Sequence, residues 1–569
     1  MTLLLSLSLI FNHDTDFWMA KEFQYYQLLL TVSFSILFFF TSKEQLILGK
    51  ADIVIISLLL LSILSRSLRI GSFNEIHIIN TFALIFYYLS LKTIRLDKNE
   101  MTIYYQFIIG VGVLLSGYCM SELFNAVEPT NFYWTMTGKF PNPGPLGGFI
   151  ALILSLVLYE LLQKTIHKEW LELAVYVIIA LLMLFVVVKS ESRAAMLSIL
   201  ITITILASYY GFKKWTYFKY TLLSLLPILI LIGLSKSTDS ILGRLLIWKI
   251  SLLSFLEHPF TGVGYGFFGV EYINFQANYF SKGGTAKEIL LAGANEQAFN
   301  EFLKFAVENG LLGIILIIVT LYWILKPRPI IPIPNQQNFP LVSITFYSSF
   351  IVFACFSFPL QFLAFKLLLL NQIGLQNYTP LRLNFKHNQN YQKTLLAIAS
   401  LLLLFIITSH NKAFKDWKNA SELQFSNPEL AKNLYKSAFK NLENEAAFLT
   451  HYANFIEEKQ PHSALNYYKK AKKITNFPGL YKKTALLNEN TGNYQDAEMD
   501  YLKIHFISPH LFLPLEQLVD FYNRRGNTKK SNYYAKKIIE TTIKIPSAEV
   551  LRIKQKAKNQ LTLTQFINY

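Results

Sequence analysis

Apolar runs of 16 to 20 residues recur through the first 409 positions of this chain, and one long polar excursion, Leu234 to Asn309, interrupts them. Each run is long enough to cross a bilayer core as a helix. The pattern predicts spans near 1–11, 24–41, 52–66, 76–91, 103–122, 146–164, 170–188, 194–211, 217–235, 305–325, 341–357, 361–375 and 394–409. The first is short and has the look of a signal-like start. The 361–375 run is also short, is interrupted by Lys366, and reads with 341–357 as a hairpin broken at Ser357-Phe358-Pro359. With 53% hydrophobic and only 16% charged residues, the chain is expected to be all-α: a polytopic membrane helix bundle of about 12–13 spans. A large aqueous loop, 236–304, interrupts the bundle, and a soluble helical domain follows it.

Lysine and arginine set the orientation, because cytoplasmic loops carry an excess of them. Short loops after even-numbered spans hold 15, among them Lys43, Arg95, Lys168, Lys214, Arg328 and Lys386; those after odd-numbered spans hold 6. The poorer side is therefore extracytoplasmic, and both the excursion and everything after residue 409 are expected there. The net charge of +17 does not indicate nucleic acid: it is spread over short loops and helices, with no basic stripe or recognition motif. Cys119 and Cys355 lie inside predicted spans, and no metal-ligand spacing occurs.

Composition changes after Ser409. Small residues recur at Ala431, Ala464, Ala497 and Ser531, spaced 33, 33 and 34 apart, and Tyr435, Tyr468 and Tyr501 keep step. Gly492 and Gly526 are expected at turns between paired helices, with Pro478, Pro509 and Pro546 near repeat ends. A 34-residue period with a small residue at the helix crossing resembles tetratricopeptide repeats. The expected domains are thus 1–409 in the membrane and 411–569 as helical repeats, the latter offering a concave surface for a protein or peptide.

Four polar clusters lie on the extracytoplasmic side. Gly138 to Gly148 is a Pro- and Gly-rich turn before the sixth span, where the backbone can approach a ligand closely. Lys189 to Ala195 places Arg193 at a helix start, where the helix dipole disfavours a cation and a bound anion would supply a reason for it. Gly243-Arg244 and Trp248 precede His258-Pro259-Phe260-Thr261-Gly262-Val263-Gly264-Tyr265-Gly266, whose glycines suit a tight loop under a ligand. Asn295 to Leu303 leads to Glu308-Asn309-Gly310, with Glu301 and Glu308 seven apart on one helix face.

Together these pieces resemble the O-antigen ligase and polymerase superfamily of bacterial membrane glycosyltransferases. The layout matches over roughly residues 20 to 375, most strongly over 138–148, 189–196 and 243–313. The resemblance rests on the Asn-Pro-rich turn Pro141 to Gly147, the pair Ser192-Arg193, and Arg244 with Trp248 one helical turn on. It also rests on His258-Pro259…Gly262-Val263-Gly264 and on Phe299-Asn300-Glu301-Phe302-Leu303…Glu308-Asn309-Gly310. It implies transfer of a glycan from undecaprenyl diphosphate to an acceptor hydroxyl outside the cytoplasm, at the inner membrane, with the C-terminal domain in the periplasm. No cofactor and no metal are implied.

The site residues implied are Arg193 and Arg244 for the leaving diphosphate, whose oxygens suit a planar guanidinium fork, with Asn142, Gly144, Trp248, Gly262 and Gly264 lining the substrate, and Asn300 near the chemistry. The family's closing motif begins with His where this chain has Phe299, which cannot move a proton. Phe299 is then expected to line the acceptor pocket and a neighbouring group to act as base. Glu296, at the loop-to-helix entry, is preferred over Glu301, which is expected to be solvated or packed against the next turn, with His258 third. The first reading is ligase-like transfer to lipid A-core. O-antigen polymerase, O-linked protein oligosaccharyltransferase with acceptors presented by the repeats, a transporter of lipid-linked glycans, and a non-catalytic scaffold are the alternatives.

Overall fold

A computed structural model describes residues 4, 9, 16–42, 44, 46, 48–129, 131, 133–211, 238–325, 339–375 and 389–567. The described residues are helical almost throughout and contain no β-strand. Seven helices are long and apolar enough to cross a membrane: Phe17–Thr41, Lys50–Ile70, Asn99–Leu123, Pro143–His167, Trp170–Lys189, Glu301–Leu325 and Tyr391–Leu423. Four shorter apolar helices, Ile76–Leu91, Arg193–Tyr209, Leu341–Phe356 and Leu363–Gly374, fall on four more of the expected spans. The expected span 217–235, nearly all of 1–11, and the loop cations Lys43, Lys214, Arg328 and Lys386 lie outside the described residues.

The chain divides into two compact units. The first comprises 1–67, 76–237 and 299–411; the second comprises 68–75, 238–298 and 412–569. The second unit thus takes in the polar excursion as well as the C-terminal repeats, where the sequence suggested a single cut near residue 410.

Between 298 and 412 the described residues form the helices Glu301–Leu325, Phe339–Phe356, Leu363–Gly374 and Gln389–Leu423.

At the centre of the first unit is Pro143–His167, the most enclosed span, 78% buried over its most apolar window. It packs against Lys98–Leu123, Trp170–Lys189, Arg193–Gly211 and Phe339–Phe356. Trp170–Lys189 leaves Leu171, Ile178 and Leu181 exposed, as a lipid-facing helix must. A buried ion pair is satisfied within the bundle: the Asp52 carboxylate accepts the Gly49 N–H and the Tyr88 hydroxyl, each at 2.6 Å, and faces Lys92 Nζ at 3.2 Å. Such a pair persists because both carboxylate oxygens find donors.

In the second unit, residues 428–567 form a run of helices that pack as hairpins: Ala446–Ile456 with Pro461–Ile474, Pro478–Asn490 with Tyr494–Ile507, and Phe512–Arg524 with Thr528–Glu540, flanked by Pro428–Leu442 and Ala548–Ile567. Ala431, Ala464, Ala497 and Ser531 fall in the first turn of Pro428–Leu442, Pro461–Ile474, Tyr494–Ile507 and Thr528–Glu540 and are fully buried, which is why the period is carried by small residues. Gly492 and Gly526 take left-handed φ of 82° and 64° at the turns inside two of these pairs. Pro478, Pro509 and Pro546 lie at the links between one pair and the next helix.

Candidate functional site

The Pro-Gly turn and the serine-arginine turn meet in the first unit. Asn142 caps Pro143–His167, its Oδ1 accepting the Gly144 N–H at 3.0 Å, and Pro143 occupies the first helical position, where its missing donor costs nothing. One turn further on, Gly147 lies against Ser190 and Ser192; a methyl at its Cα would overlap Ser190 Oγ and stand 2.9 Å from Ser192 Cβ. Ser192 Oγ accepts the Ala195 N–H and so caps the helix opened by Arg193, after a turn in which Glu191 takes a φ of 53°. Arg193 is half-buried, and among the described residues no carboxylate pairs with it. Glu122, absent from the sequence reading, holds this turn from behind. Its buried Oε2 accepts the N–H of Thr137 at 2.9 Å and of Gly138 at 2.8 Å. The available signal was an acid at the end of an apolar span.

An aromatic chain joins this turn to the closing motif. Phe140 packs on Phe362, Phe362 on Phe358, and Phe358 on Phe299 at a centroid distance of 5.4 Å. Phe299 itself is in the left-handed region, φ 52°, at the entry to Glu301–Leu325. A bulky residue there marks local strain that the surroundings must maintain. Asn300 caps that helix, its Oδ1 accepting the Leu303 N–H at 3.0 Å.

The burial of the two candidate carboxylates goes against the preference for Glu296. Glu301 is 8% exposed and its Oε1 accepts the Leu360 N–H at 2.7 Å, at the corner where the 341–375 hairpin breaks. Glu296 is exposed and belongs to the second unit. Glu301 also has Lys304 and Lys366 within electrostatic reach, and Lys366 in turn senses Glu308. Lys366, which interrupts the weak span in the sequence, is therefore part of a charge cluster around the closing motif. The helix breaks inside that motif: Gly310 has φ 65° and ψ −158°, and just before it Asn309 is buried and accepts the Ser65 hydroxyl at 2.8 Å. Non-helical backbone at membrane depth is tolerated only where protein or a polar cavity receives its unpaired groups.

In the second unit, Thr238–Glu257 carries Arg244 and Trp248, both half-buried, and the Trp248 Nε1–H donates to the Ala298 carbonyl at 2.9 Å. Gly262, Gly264 and Gly266 all have positive φ, 66°, 98° and 77°, so the run is a tight loop that other residues would strain. His258 is exposed at its start, edge-on to Phe275. The sequence reading did not single out Arg69 as a site residue. It lies beside Gly264, stacks over Phe267 at 5.5 Å and pairs with Glu271. Lys249, next to Trp248, bonds Glu288 at 2.7 Å and the Tyr279 hydroxyl at 2.8 Å. Burial opposes the Glu288 charge, but the bonds from Lys249, Thr285 and Tyr279 prevail and hold its carboxyl down at about 2.

The expected site residues thus form two sets: Asn142, Gly144, Arg193, Phe299, Asn300 and Glu301 in the first unit; Arg244, Trp248, His258, Gly262, Gly264 and Glu296 in the second. Among the described residues no group of His, Cys, Asp and Glu is arranged to hold a metal ion.

Residues 178–318 match the family model described as O-antigen ligase. No curated protein matches the chain. The matched stretch contains Arg193, Arg244, the glycine run and Glu301 to Gly310. The chain is a multi-pass helical membrane protein that is similar, over residues 178–318, to the O-antigen ligase family.

Proposed function

We propose that this protein transfers a glycan from undecaprenyl diphosphate to an acceptor hydroxyl at the periplasmic face of the inner membrane, in the manner of an O-antigen ligase. The observation that carries the reading is the family match over 178–318, because it covers in one stretch the two arginines, the left-handed glycine loop and the buried acid of the closing motif. In the reaction the acceptor oxygen attacks the anomeric carbon, the bond to the diphosphate oxygen breaks, and the acceptor proton passes to a base. Arg193 and Arg244 supply guanidinium groups for the departing diphosphate, where charge develops.

Glu301 is the proposed base. It is buried, anchored through one oxygen to the Leu360 N–H, and set two residues from Phe299, whose ring packs on Phe358. The apolar faces of the spans accommodate the polyprenyl tail.

A deletion strain tests the reading. Surface glycan made but left on its lipid carrier, and restored by the intact gene, is the expected result. Glycan reduced to single repeat units would make the protein a polymerase; intact lipopolysaccharide with unglycosylated proteins would make it a protein glycosyltransferase. An unchanged glycan profile would refute the transferase reading altogether.

A further inference from the structure

The repeats hold a piece of their own chain. Phe268–Ser281, the helix that follows the glycine run, packs against Tyr494–Ile507 of the repeats. The contact is polar at its buried points. Gln276 is fully buried; its Nε2 donates to the Ile507 carbonyl at 2.6 Å and to the Gly293 carbonyl at 2.8 Å, while its Oε1 accepts the Tyr272 hydroxyl at 2.5 Å. Asn476, 3% exposed in the link just before Pro478–Asn490, donates to the Val270 carbonyl and accepts from the Tyr481 hydroxyl. Lys503 Nζ donates to Asn274 Oδ1 at 2.7 Å, and Lys544 Nζ to the Leu290 carbonyl at 2.7 Å.

Four of these bonds, those to Ile507, Val270, Asn274 and Leu290, cross more than two hundred residues of sequence and converge on one short stretch. A buried amide that loses its partner bears the full desolvation penalty, so such an arrangement forms as a whole or not at all. Both ends of the stretch lead to candidate site residues. Upstream, the helix starts directly after Gly262–Gly266, and Arg69 grips Glu271 on its first turn. Downstream, Gly293 opens the segment that carries Glu296 and Ala298, and the Cα of Glu296 lies 3.1 Å from where a Gly269 Cβ would be, so a side chain at 269 would require that segment to give by a few tenths of an ångström. Ala298 in turn receives Trp248.

We infer that the helical-repeat region acts as an internal brace that sets the geometry of the glycine loop and of the 293–298 segment, with Gln276 and Asn476 as positioning residues for transfer. The inference rests on the transferase reading for its consequence, and on the hydrogen bonds alone for the brace. It differs from acceptor recruitment in a measurable way. A brace affects turnover with every acceptor, whereas a recruiting surface affects the KM of protein acceptors only.

The experiment uses full-length protein in membranes of a deletion strain. Gln276→Leu and Asn476→Leu remove the bonds, and Lys503→Ala is the milder variant should either fail to accumulate. Amide exchange in the peptide 258–267 is expected to rise roughly tenfold on losing one buried bond. Glycan transfer is expected to fall by a similar factor, with acceptor KM unchanged and Lys503→Arg close to wild type. Unchanged exchange in all three variants overturns the brace, as does faster exchange with wild-type turnover, or a loss confined to protein acceptors. If wild-type protein transfers no glycan, the functional reading fails while the exchange result still decides whether the brace exists.

Discussion

Adding one methyl group at Gly147 should disable transfer by moving Arg193. The built Cβ overlaps Ser190 Oγ and stands 3.1 Å from Ser190 Cβ and 2.9 Å from Ser192 Cβ, all short groups close to backbone. None can swing aside as a long side chain would. Ser190 Oγ is further fixed by its bond to the Val187 carbonyl at 2.7 Å. Overpacking of this kind costs about 1–3 kcal/mol. Relief must come from a shift of the 190–192 turn, and Arg193 opens its helix from that turn. A displacement near 1 Å at a charge-binding group can reduce a rate by roughly a hundredfold. Ser190→Ala alone should lose about 0.5–1.5 kcal/mol with its hydrogen bond. The double variant Gly147→Ala/Ser190→Ala should cost less than the sum by about 1 kcal/mol, because the worst overlap is gone while the Ser192 Cβ contact remains. The assay pairs thermal unfolding of the purified protein with glycan transfer in a complemented deletion strain. Strict additivity, or a wild-type Gly147→Ala, would show that the two turns do not bear on each other.

Four further outcomes are expected. Glu301→Gln at matched expression should lower transfer by about a hundredfold or more, the usual size of a general-base contribution, and Glu296→Gln by much less; the reverse order would return the assignment to Glu296. Arg193→Ala and Arg244→Ala should each abolish transfer with normal protein levels, and Lys at either position should rescue only in part, since an ammonium has no planar fork; full activity in an alanine variant removes that residue from the mechanism. Burial, and then the charge of Lys537, push His505 down to about 3, so the folded state prefers the neutral ring. Its stability is therefore complete above the unfolded value near 6.5 and drains as pH falls towards 3, by at most about 5 kcal/mol at roughly 1.4 kcal/mol per unit; exchange in 494–507 measured against pH should show this acid slope weakened in His505→Gln. Cysteines placed at the exposed positions Lys282 and Lys473 should react with an impermeant thiol reagent from the periplasmic side in both cases, and opposite sides would break the second unit apart.

The bundle and the repeats were legible because each has a single dominant cause. Hydrocarbon fixes the length of a span, so runs such as 146–164 and 170–188 announce themselves, and a helix crossing admits only a small side chain, so Ala431, Ala464, Ala497 and Ser531 announce the repeats. The glycine run was legible for the same reason: three left-handed residues in five leave little choice but glycine. What stayed hidden depends on pairs far apart in sequence. Nothing local distinguishes Glu301 from Glu296, since the first is buried by Leu360, 59 residues on. Lys366 read as a flaw in a weak span until the charges of Glu301 and Glu308 placed it among them. Gln276 carries no local sign of its role, which depends on the carbonyl of Ile507. Residues that cannot be satisfied locally, a lysine in an apolar run or an acid ending a span as Glu122 does, are where the sequence signals a distant partner without naming it. The desolvation cost of leaving them alone is what makes the partner obligatory.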